Sequence, residues 1–142
     1  MPVYVIDASV VIEYLVTGPY TPNATALFTQ ATTTDSFVVP EFCLLECTNV
    51  LWKQVRFSGM PMDRAQVLLK DMRKLPLSRV PVKSLLNTAL TIGLTHELAI
   101  YDSAYIALSK RSSHPFISID QRQIQAAKAE GVTEIPITNF KL

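Results

Sequence analysis

Residues 3–15 read VYVIDASVVIEYL, and this stretch sets the architecture of the chain. A β-rich run over residues 3–6 ends at Asp7, and apolar side chains then recur at helical spacing over residues 8–16. A second run, FISI at residues 116–119, ends at Asp120 and precedes another helical pattern over residues 121–130. Short apolar strands that lead directly into helices are typical of a buried parallel sheet.

The rest of the chain repeats this alternation of strand and helix. Strands are predicted over residues 37–39, 77–80 and 134–137, and helices over residues 21–31, 41–57, 62–75, 84–92 and 102–111. Gly93 is expected to end the helix before it, and Thr32, Thr33 and Thr34 are expected to form a short polar turn. The pattern predicts an α/β fold in a single domain spanning residues 1–142, with a three-layer-like α/β/α arrangement around a short, mainly parallel central sheet.

The amino-acid composition excludes several classes of protein. The chain has 142 residues, of which 49% are apolar and 18% are charged, and this balance excludes a disordered chain. No apolar run reaches the roughly 18 residues of a membrane span, and the first residues lack the basic region of a secretory signal. We therefore expect a cytoplasmic protein with no membrane association. The two cysteines, Cys43 and Cys47, are expected to be free, because helical i,i+4 spacing suits no disulfide.

Charge is distributed unevenly along the chain. The net charge is only +1, which neither indicates nor excludes a nucleic-acid partner. Residues 53–83 nevertheless hold eight basic and two acidic side chains, a local charge of +6. This segment is either a solvated helix face or a surface for phosphates or an acidic protein.

Four carboxylates stand out by their positions. Asp7 and Asp120 follow predicted strands, Asp102 stands at the start of a predicted helix, and Glu46 lies within an apolar segment. Each aspartate alone is explained by helix capping, and Glu46 alone by an exposed helix face. The set as a whole is better explained by a site for a hard divalent cation, which prefers carboxylate oxygens.

The segments around these four acids resemble the motifs of PIN-domain nucleases, specifically the VapC toxins of prokaryotic toxin–antitoxin pairs. They are VIDASVVI at residues 5–12, PEFCLLECTNVL at 40–51, YDSAYIAL at 101–108 and SID at 118–120. Many relatives carry a further acid shortly after the fourth aspartate. Here Gln121, Arg122, Gln123 and Gln125 occupy those positions, so the choice between one and two cations stays open.

The resemblance implies a PIN-like fold and a metal-dependent endoribonuclease. Asp7, Glu46, Asp102 and Asp120 would be catalytic and would bind Mg²⁺ or Mn²⁺. Ser9, Asn49 and Ser118 would orient those acids or contact the phosphate. Glu13 and Tyr105 are further candidate pocket residues, and Glu41 is excluded because it faces away from Glu46 on a helix.

The same resemblance implies substrate and partners. The substrate would be single-stranded or loop RNA, cut to leave 3′-hydroxyl and 5′-phosphate ends. The chain would be the toxin of a type II toxin–antitoxin system, with a homodimer contact and an antitoxin groove in residues 41–75. Apolar residues of that region either serve these contacts or pack together as a helical hairpin; they are Leu44, Leu51, Trp52, Met60, Val67 and Leu68.

Other functions compete with this interpretation. A PIN-like RNA-processing nuclease outside a toxin pair, or a catalytically silent interaction domain, would share the fold. A nucleotide-binding domain is not supported, because neither glycine-rich phosphate motif is present. An aspartyl phosphotransfer domain is disfavoured, because Ser9 stands where a second early acid is expected.

Overall fold

The computed structural model describes residues 2–31 and 36–142. In this part of the chain, seven α-helices alternate with four short strands. The elements are β1 (Tyr4–Ile6), α1 (Ala8–Leu15), α2 (Thr21–Thr29), β2 (Phe37–Pro40), α3 (Cys43–Phe57), α4 (Met62–Arg73), β3 (Leu77–Val80), α5 (Leu86–His96), α6 (Ile100–Ser112), β4 (Phe116–Ile117) and α7 (Gln121–Ala129). Short 3-10 helices cover Lys83–Leu85 and Ile137–Asn139. The polar turn predicted at residues 32–34 lies outside the described residues.

The strands form one parallel sheet in the order β3-β2-β1-β4. Connections from β1 to β2 and from β2 to β3 run in one direction, and the connection to β4 returns across the sheet. Right-handed crossovers therefore place α1–α4 on one face and α5–α7 on the other. The packing agrees, since α1 contacts α2, α3 and α4, whereas α6 contacts α5, α7 and the central strands. The predicted three-layer α/β/α architecture is confirmed.

The adjacent strands β1 and β4 are the most buried part of the sheet. Val5 and Ile6 of β1 and Phe116 and Ile117 of β4 are all fully buried. Both faces of these strands are covered by helices, which explains why their sequences are continuously apolar. The burial of this pair of strands fixes the position of the residues that follow each strand.

The C-terminal strand predicted over residues 134–137 is wrong. Glu134 makes a single bridge with Phe116, and the chain then turns into the 3-10 helix. Pro136 has no N–H group with which to extend a ladder. β4 also ends two residues early, because the Ile119 N–H donates to the Ser9 hydroxyl rather than to a neighbouring strand.

The helix end predicted at Gly93 is also wrong. α5 continues to His96 and ends at Glu97, which adopts the left-handed conformation with φ of 52°. Gly93 lies where α5 meets the start of α6, and a Cβ there would stand 2.9 Å from the Leu98 carbonyl oxygen. Glycine is therefore required here for close packing, not for ending the helix.

The apolar residues expected on the surface of α3 and α4 divide into two sets. Leu51 and Leu68 are buried in the core, which corrects the expectation for these two, while Trp52 and Val67 are exposed. Leu44 and Met60 are half-buried. The burial follows from α3 and α4 packing against each other and against α1. Cys43 and Cys47 are buried and free.

A second exposed apolar surface lies on α5 and was not predicted from the sequence. Leu86, Leu90 and Leu94 project from one face at i, i+4 and i+8, and Leu94 is 74% exposed. Ile100 and Tyr101 are exposed nearby at the start of α6. Within the described residues, none of the helices combines the length and the apolar composition needed to span a bilayer.

Candidate active site

The reversal of strand order between β1 and β4 brings two aspartates to the same edge of the sheet. Asp7 directly follows β1, and Asp120 follows the segment after β4. Such a reversal opens a crevice at the carboxyl ends of parallel strands, where α/β proteins bind ligands. Both aspartates cap helices: Asp7 Oδ1 accepts from the Val10 N–H at 3.3 Å, and Asp120 Oδ1 accepts from the Arg122 N–H at 2.9 Å. Capping of α7 uses only one oxygen of Asp120, so capping and cation binding are compatible.

Two serines hold the Asp7 carboxylate across the gap between β1 and β4. Ser9 donates to Asp7 Oδ1, and Ser118 donates to Asp7 Oδ2. The serine oxygens accept in turn, Ser9 from the Ile119 N–H at 3.0 Å and Ser118 from the Asp120 N–H at 3.0 Å. Two of the three residues predicted to orient the acids or contact the phosphate, Ser9 and Ser118, are therefore in direct contact with Asp7.

Asp7 is completely buried, and its surroundings change its acidity. Burial raises the pKa of Asp7 to about 7, against the lowering effect of the Ser118, Ser9 and Val10 hydrogen bonds, and the charge of Asp120 raises it further. Without a cation, the Asp7 carboxyl is therefore partly protonated at neutral pH.

Glu46 reaches the same region from the first turn of α3. Its Oε1 accepts a hydrogen bond of 2.6 Å from the hydroxyl of Tyr105, which is fully buried on α6. Burial raises the pKa of Glu46, the Tyr105 hydrogen bond lowers it, and the charge of Asp102 raises it. Tyr105, named from the family resemblance as a candidate pocket residue, therefore contacts one of the four acids.

Asp102 lies within the first turn of α6, and Ala99 is the N-cap. Helix capping therefore does not explain the position of Asp102, so the capping alternative is wrong for this aspartate. Its Oδ1 accepts from the Gln123 amide nitrogen at 3.1 Å. Burial and then the charge of Asp120 raise the pKa of Asp102, while the charge of Arg122 lowers it.

Like charges link the four acids into one chain of neighbours. Asp120 acts on Asp7 and on Asp102, and Asp102 acts on Glu46. The four come from different segments of the sequence and meet at the carboxyl edge of the sheet. Each added negative charge makes the others harder to ionise, so the group favours protons or a cation.

The donor set fits a hard divalent cation, because every donor is an oxygen and the acids disfavour one another's charge. Over residues 2–31 and 36–142, no three His, Cys, Asp or Glu side chains are grouped closely enough to share a metal ion as they stand. The carboxylate oxygens of the four acids instead accept hydrogen bonds from serine, tyrosine, amide and backbone donors. Binding a cation therefore requires these side chains to exchange some of those donors.

The remaining candidates lie at or beyond the rim. Asn49 is exposed on α3 and, among the described residues, makes no hydrogen bond to the four acids. Glu13 accepts from the Tyr20 N–H at 2.6 Å and so fastens the turn between α1 and α2. Glu41 accepts from the Val82 N–H at 3.2 Å, near the ends of β2 and β3. A cavity of about 270 Å³ opens beside Ser118.

Comparison with known proteins places this geometry in a family. The model of the PIN domain matches residues 4–129, which include all four acids. Ribonuclease VapC3 of Pyrobaculum aerophilum is 24% identical over 120 residues, which are 83% of this chain and 89% of VapC3.

Two crystal structures share the fold at low sequence identity. PAE2754 from Pyrobaculum aerophilum has a TM-score of 0.73 at 16% identity, covering 97% of this chain and 91% of that chain. VapC20 of Mycobacterium tuberculosis, described as a Sarcin-Ricin loop cleaving toxin, has a TM-score of 0.67 at 13% identity, covering 93% of this chain and 98% of that chain. With the family match covering most of its length, the chain belongs to the PIN domain family.

Proposed function

We propose that this chain is an endoribonuclease that hydrolyses RNA phosphodiester bonds with Mg²⁺ or Mn²⁺ bound by Asp7, Glu46, Asp102 and Asp120. The observation that carries the proposal is the continuous series of like-charge neighbours that joins these four acids. Structural acids are normally paired with basic groups, whereas serine, tyrosine and amide donors hold these acids, and the positive charge that acts on Asp102 is that of Arg122. Similarity to a VapC ribonuclease supports RNA as the substrate.

When bound, the cation supplies a more acidic water and neutralises charge that develops on the phosphate. The protein's own groups prepare the site for it. Ser9 and Ser118 fix the direction of the Asp7 oxygens, and Tyr105 fixes Glu46. Asn49, exposed on the same helix as Glu46, is placed to contact the RNA backbone. Single-stranded or loop RNA fits best, since its backbone and bases are accessible; 3′-hydroxyl and 5′-phosphate ends are the expected products.

The decisive experiment compares the wild type with the Asp102→Asn variant on unstructured RNA. We expect cleavage with Mg²⁺ or Mn²⁺, none with EDTA, and none by the variant in either condition. Labelling of the new ends identifies the products. Equal cleavage by the wild type and the variant would contradict the proposed site.

We also propose that the chain is the toxin of a type II pair and acts in the cytoplasm. An apolar groove of about 210 Å³ lies between α3 and α4, lined in part by Trp52, Val55, Met62 and Leu69. Five of the eight basic side chains of residues 53–83 belong to these two helices. These features suit an amphipathic antitoxin segment that combines apolar and acidic side chains.

A homodimer is the second proposed assembly. Its contact was predicted in residues 41–75, but the exposed leucine face of α5 is the surface that we propose for it. Leu86, Leu90 and Leu94 present a continuous stripe that a second copy covers with the same three residues. Replacing Leu90 by Asp is expected to convert a dimer to a monomer, measured by light scattering, and the Val67→Asp variant on α4 serves as the control.

Co-expression with the protein encoded beside it separates the toxin from the other functions. A toxin forms a stable complex with that neighbour and loses ribonuclease activity in it. An RNA-processing nuclease stays active and unbound. A catalytically silent interaction domain binds without cleaving RNA under any metal condition.

A further inference from the structure

Gln123 is a buried polar residue that touches two of the four acids. It lies in the first turn of α7, and only 5% of its surface is exposed. Its amide nitrogen donates to Asp102 Oδ1 at 3.1 Å, and its backbone N–H donates to Asp120 Oδ1 at 3.4 Å. Gln123 therefore connects two acids that repel each other.

Helix capping does not account for the Gln123 side chain. In a capping box, a glutamine three residues after an N-cap aspartate accepts from the N-cap backbone N–H through its side-chain oxygen. Here the Asp120 N–H donates to the Ser118 hydroxyl at 3.0 Å instead. Ser118 takes over the reciprocal half of the box, and the Gln123 amide is turned towards Asp102.

The other end of the amide is without a partner. Because Asp102 Oδ1 is an acceptor, the nitrogen of Gln123 faces it, which fixes the orientation of the amide. Among the buried side-chain nitrogens and oxygens of the described residues, Gln123 Oε1 alone lacks a hydrogen bond. An unsatisfied buried acceptor costs about 1–3 kcal/mol, so a donor is missing beside the acids.

We propose that Gln123 is a positioning residue of the cation site. Its amide nitrogen holds Asp102 beside Asp120. Oε1 is closed to solvent in the metal-free arrangement, and it accepts a hydrogen bond from the hydration shell of the bound cation once the acids have exchanged donors. This inference rests on the proposed function, since it assumes that the acids bind Mg²⁺ or Mn²⁺. Mg²⁺ keeps several of its waters in protein sites, so an acceptor for those waters is a useful part of such a site. A glutamine provides that acceptor without a fifth negative charge.

The test measures Mn²⁺ affinity by calorimetry and thermal midpoints in EDTA, on the full chain. Gln123→Met removes both polar ends at similar volume, and we expect it to weaken Mn²⁺ binding by about 10-fold to 100-fold. Gln123→Glu keeps an acceptor and adds charge, so it binds Mn²⁺ at least as tightly as the wild type. The same change brings a fifth acid beside Asp102 and lowers the midpoint in EDTA.

The exposed Gln125, two residues along the same helix, supplies matched controls. Gln125→Met and Gln125→Glu should change neither quantity. The discriminating variant is Gln123→Met: the proposal predicts a loss of Mn²⁺ affinity with a midpoint in EDTA at or above the wild-type value, because the unpaired buried oxygen is also removed. A purely structural role would instead lower the midpoint. Wild-type affinity in Gln123→Met, or a loss of affinity accompanied by a lower midpoint in EDTA, would overturn the role of Gln123. A wild type that binds no Mn²⁺ would overturn the proposed function itself.

Discussion

Two acidic regions of this molecule shift the pKa of a carboxyl group in opposite directions. Glu130, at the end of α7, lies 2.9 Å from the Lys110 ammonium and 2.7 Å from a His96 nitrogen. The hydrogen bonds from Lys110 and His96 lower the pKa of Glu130. At the other end of α7, burial and neighbouring acids raise the pKa of Asp102 and Glu46.

The difference distinguishes a structural acid from a functional one. Around Glu130 the chain provides the Lys110 ammonium and a His96 nitrogen, and the result is a link between α5, α6 and α7. Around Asp102, the charge of Arg122 acts on one acid, and neutral hydrogen-bond donors hold the group in place. Under the proposed function, a bound cation balances the charge of this second group.

The largest expected effect separates the two regions by activity. Asp102→Asn should lower ribonuclease kcat/KM by about 100-fold to 1,000-fold, as removal of a charge-stabilising group does in other enzymes. Glu130→Gln should leave it within about twofold. Steady-state cleavage of a fluorescent RNA measures both. Similar losses of kcat/KM in both variants would contradict the distinction between the two regions.

The pH dependence of stability sharpens the comparison at Asp7. Its pKa of about 7 in the folded state lies above the unfolded value of about 3.8, so ionisation favours unfolding. In EDTA, this effect is absent below pH 4, grows as pH rises and levels off above pH 7. Asp7→Asn removes it and should be more stable than the wild type at pH 8 by the order of 3 kcal/mol. Denaturant unfolding of both proteins at pH 4 and pH 8 tests this pH dependence. A difference in the free energy of unfolding that is equal at the two pH values would contradict it.

Added cation should stabilise the protein through the site acids alone. At a hundred times its dissociation constant, Mn²⁺ is expected to add about 2.7 kcal/mol to the free energy of unfolding. Thermal melts should show this shift in the wild type and in Glu130→Gln, but not in Asp102→Asn. An equal shift in all three proteins would point to Mn²⁺ bound elsewhere.

Tyr105 should have a smaller effect that is visible in the pH profile. Its hydroxyl lowers the pKa of Glu46, so Tyr105→Phe raises that pKa and reduces the ionised fraction at a given pH. We expect about a tenfold loss of kcat/KM at pH 6 and partial recovery at higher pH. A uniform loss across the pH range would argue that the hydroxyl has only a packing role.

The smallest effect is expected for the stability of Glu130→Gln. The lowered pKa of Glu130 means that its ion pairs stabilise the fold at neutral pH and that this contribution is lost as the carboxyl protonates in acid. Because these groups are near the surface, we expect less than about 1 kcal/mol. Urea unfolding at pH 7 and pH 3 measures the size of this contribution to stability and its loss in acid.

The sequence predicted those parts that local patterns determine. Short apolar strands ending in Asp7 and Asp120 implied the parallel sheet and the edge at which those acids meet. Ser9 and Ser118 were identified by resemblance, and the structure places both on Asp7. The parts that escaped prediction depend on contacts between distant segments.

Gly93 and Gln123 illustrate this limit. Glycine after a helical pattern usually marks a helix end, but the close approach of α6 gives Gly93 a different role. Gln123 has capping-box spacing, but the nearby Ser118 hydroxyl already accepts from the Asp120 N–H, and the Gln123 amide donates to Asp102 on α6 instead. The exposed leucines of α5 were missed for the same reason, because their spacing equally suits a buried helix face.

The order of the strands has a consequence for protein synthesis. The hydrogen bond between Ser118 and Asp7 joins residues that are 111 positions apart, and β1 lies in the sheet between strands from both halves of the chain. On the ribosome, β1 emerges early, but its neighbour β4 and the cap of α7 emerge more than a hundred residues later. The four acids therefore cannot assemble on a nascent chain until β4 and α7 have left the exit tunnel.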